Sequence, residues 1–515
     1  MQVDNKRIAR NTIALYIRMI VIMAINFYMA RVVLDVLGAT DYGIYNVVGT
    51  IVVIFTFLKS SLSEATQRFL NYEMGRSNSY VRLRKIFSTC INCYFVFVII
   101  VLLSGELFWF FYGRSLSIPD ERFDAATIAF HMSLLTFVVS IFQVPYNSAI
   151  IAYEKMDFFA KISVGEALLK LLLILWIKTI LYDKLELYSY IIFTNSLIIL
   201  LVYYGYCIKR FPICRYIFVW EKRLFRKILS FTGWNMLGSL SGILSESGVN
   251  LLFNLFCGVL LNASLGLANQ INNAMKGFSS GYMTAFNPQI VKTYAAKEYV
   301  EFKKLFYRSS KFSYFLFFMI SMPLIFKMDY LLSVWLVDVP EYTAIFAKVI
   351  LIGSLIDATT SVFYSSMGAT GKIKYYQISI STVFFLHFVI TYLLLYFKFD
   401  YVLVFFSRLL TRGLLNFTVG ILFVSHHTVF VFSEYVKSTL LPIIKSSVIP
   451  LVLISILCQI GPHASFMYFI IIVVIFELST LSSIFFVGLT PKEKISVVEK
   501  SQSLFYKLLN KKINV

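Results

Sequence analysis

The chain has 515 residues, of which 59% are hydrophobic and 17% aromatic, while only 14% are charged and the net charge is +20. Soluble domains carry about 25% charged residues and divide into units with polar surfaces, so a soluble protein is excluded and the chain reads as an integral membrane protein. The basic balance would suit a nucleic-acid binder, but the lysines and arginines fall in short connections between apolar runs, which removes nucleic acid as a partner.

The N-terminus carries Lys6, Arg7 and Arg10 ahead of an apolar run too long for a signal-peptide core, with no A-x-A cleavage pattern after it. It is expected to stay as the first of about 14 transmembrane helices of roughly 20 residues each. The expected spans lie near 12–34, 42–66, 87–112, 125–150, 162–182, 188–208, 228–256, 265–290, 312–332, 344–367, 377–397, 402–424, 446–461 and 464–487. The thirteenth is short and interrupted by Pro450. With the N-terminus inside, the lysines and arginines outside the spans divide as roughly 33 inside against roughly 5 outside. This predicts a multi-pass protein with both termini cytoplasmic. The two longest basic stretches, Lys209 to Lys227 and Lys292 to Lys311, are expected as amphipathic helices on the cytoplasmic surface, where they also suit anionic membrane lipid.

In chain order, `ARVVLDVLGATDYGIYNVVGTI` (Ala30 to Ile51) places a charged turn between the first two spans, with Asp35 and Asp41 in water and Gly38 at the turn. Gly43 to Asn46 then enters span two, and Gly266 to Asn269 enters span eight in the same way after Gly258. Gln67 and Tyr72 share their spacing with Gln289 and Tyr294. These echoes predict two parallel six-helix lobes related by an axis along the membrane normal: 1–208 and 228–424, joined by a basic cytoplasmic linker at 209–227. Residues 425–515 follow as two extra helices and a basic tail. The fold class is thus all-α and polytopic. No loop reaches the roughly 50 residues of a small soluble domain, and the six scattered cysteines give no disulfide or zinc pattern. No metal or cofactor is expected.

An ionisable side chain within a span costs about 2.5–3.5 kcal/mol on insertion scales, so it should face a cavity or a partner. Span one carries Arg18 and Arg31, span two Lys59 and span eight Lys276. Asn46, Asn235, Asn250, Asn269 and Asn273 recur on polar stripes of helical spacing in spans two, seven and eight. Such stripes also mediate helix packing, but the charge embedded in each favours a water-filled cavity. Glu246 and Asp357 are candidates for proton or sodium coupling, with a fixed ion pair as the alternative. Arg408 and Arg412, four residues apart, line the second lobe or bind lipid phosphate. Glu166 and Lys170 have the spacing of an intrahelical pair and read as structural. His387 reads as a packed residue.

The basic N-terminus, the long first span, `LGATDYGIYNVV` (Leu37 to Val48) and `SEATQRFLNYEMGR` (Ser63 to Arg76) together resemble the Wzx-like oligosaccharide flippases of the multidrug/oligosaccharidyl-lipid/polysaccharide (MOP) exporter superfamily. The specific likeness covers about the first 80 residues. It implies a MATE-like two-lobe fold in the bacterial inner membrane. It also implies translocation of an undecaprenyl-diphosphate-linked oligosaccharide, an O-antigen or capsule unit of polysaccharide biosynthesis, from the cytoplasmic to the periplasmic leaflet. A polysaccharide polymerase and a chain-length regulator would be its partners. Arginine offers diphosphate a planar fork and lysine a point charge, so Arg18, Lys59 and Lys276, with Arg31, are the expected diphosphate ligands. The asparagines would meet sugar hydroxyls. The two C-terminal helices would guide the polyprenyl tail.

One rival is a MATE-like exporter of small cations, disfavoured because a cation site wants carboxylates. The other is a membrane enzyme, a polymerase or glycosyltransferase, which would need an external catalytic loop that the chain lacks.

Overall fold

Every regular element described in the computed structural model is helical. The structure describes residues 5–53, 55–115, 118–336, 339–460, 466–491 and 493–495. The side chains at 5–10, 27, 30, 34, 39, 46, 50, 51, 53, 258–260, 262, 263 and 460 are not described. The charged turn is where the sequence puts it. Helix α1 (Asn5–Val53) bends at Gly38, whose φ of 72° and ψ of 169° suit glycine alone, so α1 is two helices meeting at that residue. Phe55, in a turn, leads into α2 (Thr56–Arg76).

Next come α3 (Tyr80–Tyr112), α4 (Phe123–Ala152), α5 (Met156–Ile177) and α6 (Lys184–Arg210). Helix α7 (Lys222–Ala295) is 74 residues of helical backbone, but it folds back on itself. The Asn269 amide donates to Asn250 Oδ1 at 3.5 Å, although 19 residues separate the two. In a straight helix that interval would span about 28 Å. The chain therefore reverses between them, as the Gly258 turn predicts. Helices α8 (Tyr299–Phe326), α9 (Met328–Trp335), α10 (Thr343–Thr370) and α11 (Lys374–Tyr396) follow. Helix α12 (Tyr401–Arg408) continues through π-helical turns at Leu409–Leu415 into α13 (Asn416–His427). Helix α14 (Phe432–Tyr435) passes through Val436–Leu440 into α15 (Leu441–Ile460), and α16 (Phe466–Ser483) ends in another π turn. The thirteenth segment is longer than its sequence suggested, since a 28-residue span runs from Phe432 to Gln459 with Pro450 inside the helix.

Eleven described helices are long and apolar enough to cross a membrane, which makes this a multi-pass membrane protein. The three other expected spans, 42–66, 162–182 and 265–290, are mostly helical among their described residues but are not among the eleven. They are the segments that carry Lys59 with Glu64, Glu166 with Lys170, and Lys276. The count of 14 therefore stands on sequence pattern for these three.

The chain forms two compact units. The first comprises Met1–Ser247, Ser280–Leu305 and Phe363–Leu386; the second comprises Gly248–Ser279, Phe306–Val362 and His387–Val515. The core of the first unit is built on Leu62, Phe87, Phe130, Ile141 and Ile150, all fully buried. At one end of this unit the turn after α1's first half, the start of α4 and the start of α6 meet. There Arg122 bridges Asp41 at 2.6 Å and Asp183, and Lys178 pairs with Asp35. All three connections are on the outer side in the sequence topology, so their meeting agrees with the loop parity. The second unit packs around Phe253, Phe317, Phe318, Phe346 and Phe476.

Both basic connections depart from expectation. Between α6 and α7, residues 211–221 form a short 3₁₀ turn and an extended strap along α3. Arg84 Nε donates to the Arg215 carbonyl at 2.8 Å, Ile217 N–H to Ser88 Oγ at 3.1 Å, and Asn92 to the Val219 carbonyl at 3.1 Å. Side chains of α3 satisfy the strap's backbone, which removes the need for a helix there. In the other stretch, Lys292 and Lys311 are buried in ion pairs. Lys292 meets Glu154 at 2.6 Å in the first unit, and Lys311 meets Glu493 at 2.7 Å in the second.

Candidate functional site

Within the first unit, α1, α2, α5 and α6 bring together charges that the sequence scatters. Arg18 on α1 lies with its guanidinium 4.4 Å from the centre of the Phe159 ring on α5. Lys59 comes from α2. Glu166 and Lys170, four residues apart, share a face of α5, and Tyr203 comes from α6. Glu166 lies within electrostatic reach of Lys59, Lys170 and Arg18, and Tyr203 within reach of Arg18 and Glu166. All four charged groups are half-buried. Three cations thus act electrostatically on one carboxylate. The Arg18 Nε has no hydrogen-bond partner among the described residues, which leaves a guanidinium donor aimed at no protein acceptor.

Arg18 and Lys59 are therefore brought together, and Lys170 joins them. Reading Lys170 only as an intrahelical partner of Glu166 missed this, because the i, i+4 spacing already explained the pair. The other candidates are placed as follows. Arg31 is exposed beside Asp35 at one end of the first unit. Asn235 is buried and accepts a hydrogen bond from the Gln377 amide at 3.1 Å. Glu246 is half-buried in the first unit. The side chain of Asn46 lies outside the described residues.

In the second unit, Lys276 and Asp357 are half-buried. Asn269 is buried and bonds Asn250, while Asn273 is exposed. Arg408 and Arg412 lie within electrostatic reach of His387, whose Nδ1 is 3.1 Å from Thr411 Oγ1. His387 is buried, as its reading as a packed residue requires.

The first unit also holds polar residues whose partners only the structure shows. Glu64 accepts a hydrogen bond from the Tyr364 hydroxyl. Glu154, a non-glycine residue at a φ of 57°, accepts from both Lys292 and Gln289. The positive φ turns the carboxylate into the interior, and Lys292 also donates to the Ala152 carbonyl at 2.7 Å. Only the isolated, unexplained Glu154 after a helix end signalled this group in the sequence.

No protein-family model matches the chain, and no curated protein matches it. Solved structures do. A MATE transporter described in the bent conformation superposes with a TM-score of 0.69 at 13% identity, covering 82% of this chain and 95% of that one. The MATE transporter ClbM in complex with Rb+ gives 0.67 at 15% identity, covering 82% and 95%. A MOP superfamily transporter from Pyrococcus furiosus, described by a binding pocket of reverse polarity that suggests a different function, gives 0.65 at 13% identity, covering 81% and 95%. The fold is that of the MATE and MOP-superfamily transporters.

Proposed function

We propose that the chain is a flippase carrying an undecaprenyl-diphosphate-linked oligosaccharide, of the O-antigen or capsule repeat-unit class, from the cytoplasmic to the periplasmic leaflet of the bacterial inner membrane by alternating access. The observation that carries this reading is the sharing of Glu166 by Arg18, Lys59 and Lys170. At about 2.5–3.5 kcal/mol for each ionisable group in a span, one carboxylate offsets one cation and leaves two that call for an anionic partner. A diphosphate carries that charge. Arg18 offers it a planar fork, Lys59 and Lys170 offer point charges, and Lys276 adds a cation in the second unit.

Asn235, Asn250, Asn269 and Asn273 are the sugar-facing candidates, and Glu246 and Asp357 the ones for proton or sodium coupling. Val452, Ile456, Ile470, Val474 and Leu478 are exposed on α15 and α16 and suit a polyprenyl tail. A polymerase and a chain-length regulator would act on the delivered unit. The fold equally suits a MATE-like exporter of small molecules. Charge sign separates the two readings, and the Pyrococcus furiosus transporter supports using pocket polarity as the discriminator.

The test is transport of a defined polyprenyl-diphosphate glycan by the full chain in vesicles. Wild type is expected to flip it. Arg18→Ala and Lys59→Ala should each slow flipping at least roughly tenfold, a loss of about 1.4 kcal/mol or more, with the protein still inserted. Full transport by the double variant would remove the diphosphate clamp. Export of cationic dyes with no glycan flipping would select the second reading.

A further inference from the structure

At the end of the first unit that loop parity assigns to the cytoplasm, three connections enclose a recess of about 1350 Å³. One wall is the end of α2 and the start of α3. The second is the end of the strap and the first turns of α7. The third is the α10–α11 connection around Gly371. Ten lysine and arginine side chains line it, against two carboxylates, Glu73 and Glu221. We infer that this recess is a second anion site, separate from the Arg18 cluster, for a ligand bearing two or more phosphate charges.

The contrast with the ion pairs at the other connections carries the inference. There lysine and arginine side chains are matched by acids: Arg122 by Asp41 and Asp183, Lys292 by Glu154, Lys311 by Glu493, Lys348 by Asp329. In the recess the cations outnumber the acids five to one. Positive-inside topology explains which side bears them, but not their convergence on one hollow.

Two of them are also held in place. Arg68 donates Nε to the Gly368 carbonyl at 3.0 Å and an Nη to the Ala369 carbonyl at 3.4 Å, and lies 4.7 Å from the centres of the Phe69 and Tyr72 rings. Gly371, at a φ of 75°, packs so closely that a Cβ there would come within 2.6 Å of Arg68 Nη2. Lys374 stands 5.2 Å from the Trp234 ring centre. Fixed cations lose less entropy on binding than mobile ones, and an anion among like charges relieves their mutual repulsion. The recess exceeds the space one phosphate needs and is larger than the roughly 300–1,000 Å³ of small-molecule pockets, which leaves room for a ligand with more than one phosphate. A ligand there would touch all three connections and hold them together. The phosphate charges come either from a lipid headgroup or from a soluble phosphorylated compound.

The test needs no transport, so its failure is distinct from failure of the flippase reading. Thermal unfolding of the full chain in detergent is followed with inorganic pyrophosphate, against chloride at matched ionic strength. In parallel, the chain is placed in phosphatidylcholine vesicles with and without cardiolipin. Pyrophosphate or cardiolipin is expected to raise the unfolding midpoint by several degrees. A shift with pyrophosphate assigns a soluble ligand, and a shift with cardiolipin alone assigns a lipid headgroup. The double variant Lys372→Glu/Lys374→Glu and, on another wall, Arg82→Gln should each weaken the effect, the double at least roughly tenfold in ligand concentration. Lys437→Glu, in the second unit, should leave it intact. An equal shift with chloride, no shift with either probe, or a shift unchanged in both recess variants overturns the assignment.

Discussion

The two ends of the first unit use the same chemistry in opposite surroundings. At one end Arg122 with Asp41 and Asp183, and Lys178 with Asp35, form ion pairs that water reaches. At the other, Lys292 and Glu154 are 6% and 1% exposed, and Gln289 and the Ala152 carbonyl complete their hydrogen bonds. Exposed pairs contribute about 0–1 kcal/mol. A buried pair contributes little net, but removing one member strands a charge at a cost of about 3–5 kcal/mol. One end therefore tolerates change, and the other locks segments 138 residues apart in sequence into one unit.

The largest expected effect tests that lock. Lys292→Met should cost about 3–5 kcal/mol of stability, read by thermal unfolding in detergent. The double variant Glu154→Met/Lys292→Met should recover most of it, and a double as unstable as the single would break the comparison. Next is Gly75→Ala. A Cβ at Gly75 would overlap the Lys292 backbone itself, which has no flexible end to move aside. The expected loss is about 1–3 kcal/mol, and an unfolding midpoint equal to wild type would show that the close approach is not needed.

A third test asks whether a buried lysine pair in the second unit behaves alike. Burial alone would raise the Glu493 carboxyl. Lys311, through hydrogen bond and charge, and Thr490 outweigh that and hold it below the usual carboxylate range. A depressed folded value contributes stability above the unfolded carboxylate value of about 4.3, lost as pH falls through the folded one. Wild type should therefore lose more stability than Glu493→Gln between about pH 6 and about pH 3; parallel curves would remove the linkage. The smallest effect belongs to the exposed end. Arg122→Ala should cost about 1 kcal/mol or less for each pair it breaks, and a loss as large as that of Lys292→Met would erase the distinction between the ends.

Much of the architecture was legible in the sequence because it follows from local pattern. Apolar runs mark the spans, Gly38 marks a turn that only glycine makes, and alternation of basic and acidic connections sorts the loops onto two ends. The Arg18 and Lys59 positions were legible because a charge inside an apolar run has no bland explanation. What stayed hidden was non-local. Lys292 and Lys311 looked like loop charges because Glu154 and Glu493 lie 138 and 182 residues away. Lys170 was hidden for the opposite reason: a local partner, Glu166, concealed the other groups around it. The strap at 211–221 was misread because its backbone is satisfied by Ser88 and Asn92 of α3, and no periodicity within the strap reports on that.

The helices that carry the candidate site have a consequence for how the chain is made. Helix α5 presents Glu166 and Lys170 within its crossing, with Asp157 and Lys161 just before it, and α2 and the second half of α7 also carry charged residues. Each ionisable group inside a span costs about 2.5–3.5 kcal/mol on insertion scales, so these segments gain from entering the membrane beside a neighbour that meets their charges. For α5 the adjacent partners in the chain are α4 and α6, whose crossings are strongly apolar. The residues that give the interior its charge thus favour insertion of these helices together with their neighbours over insertion one by one.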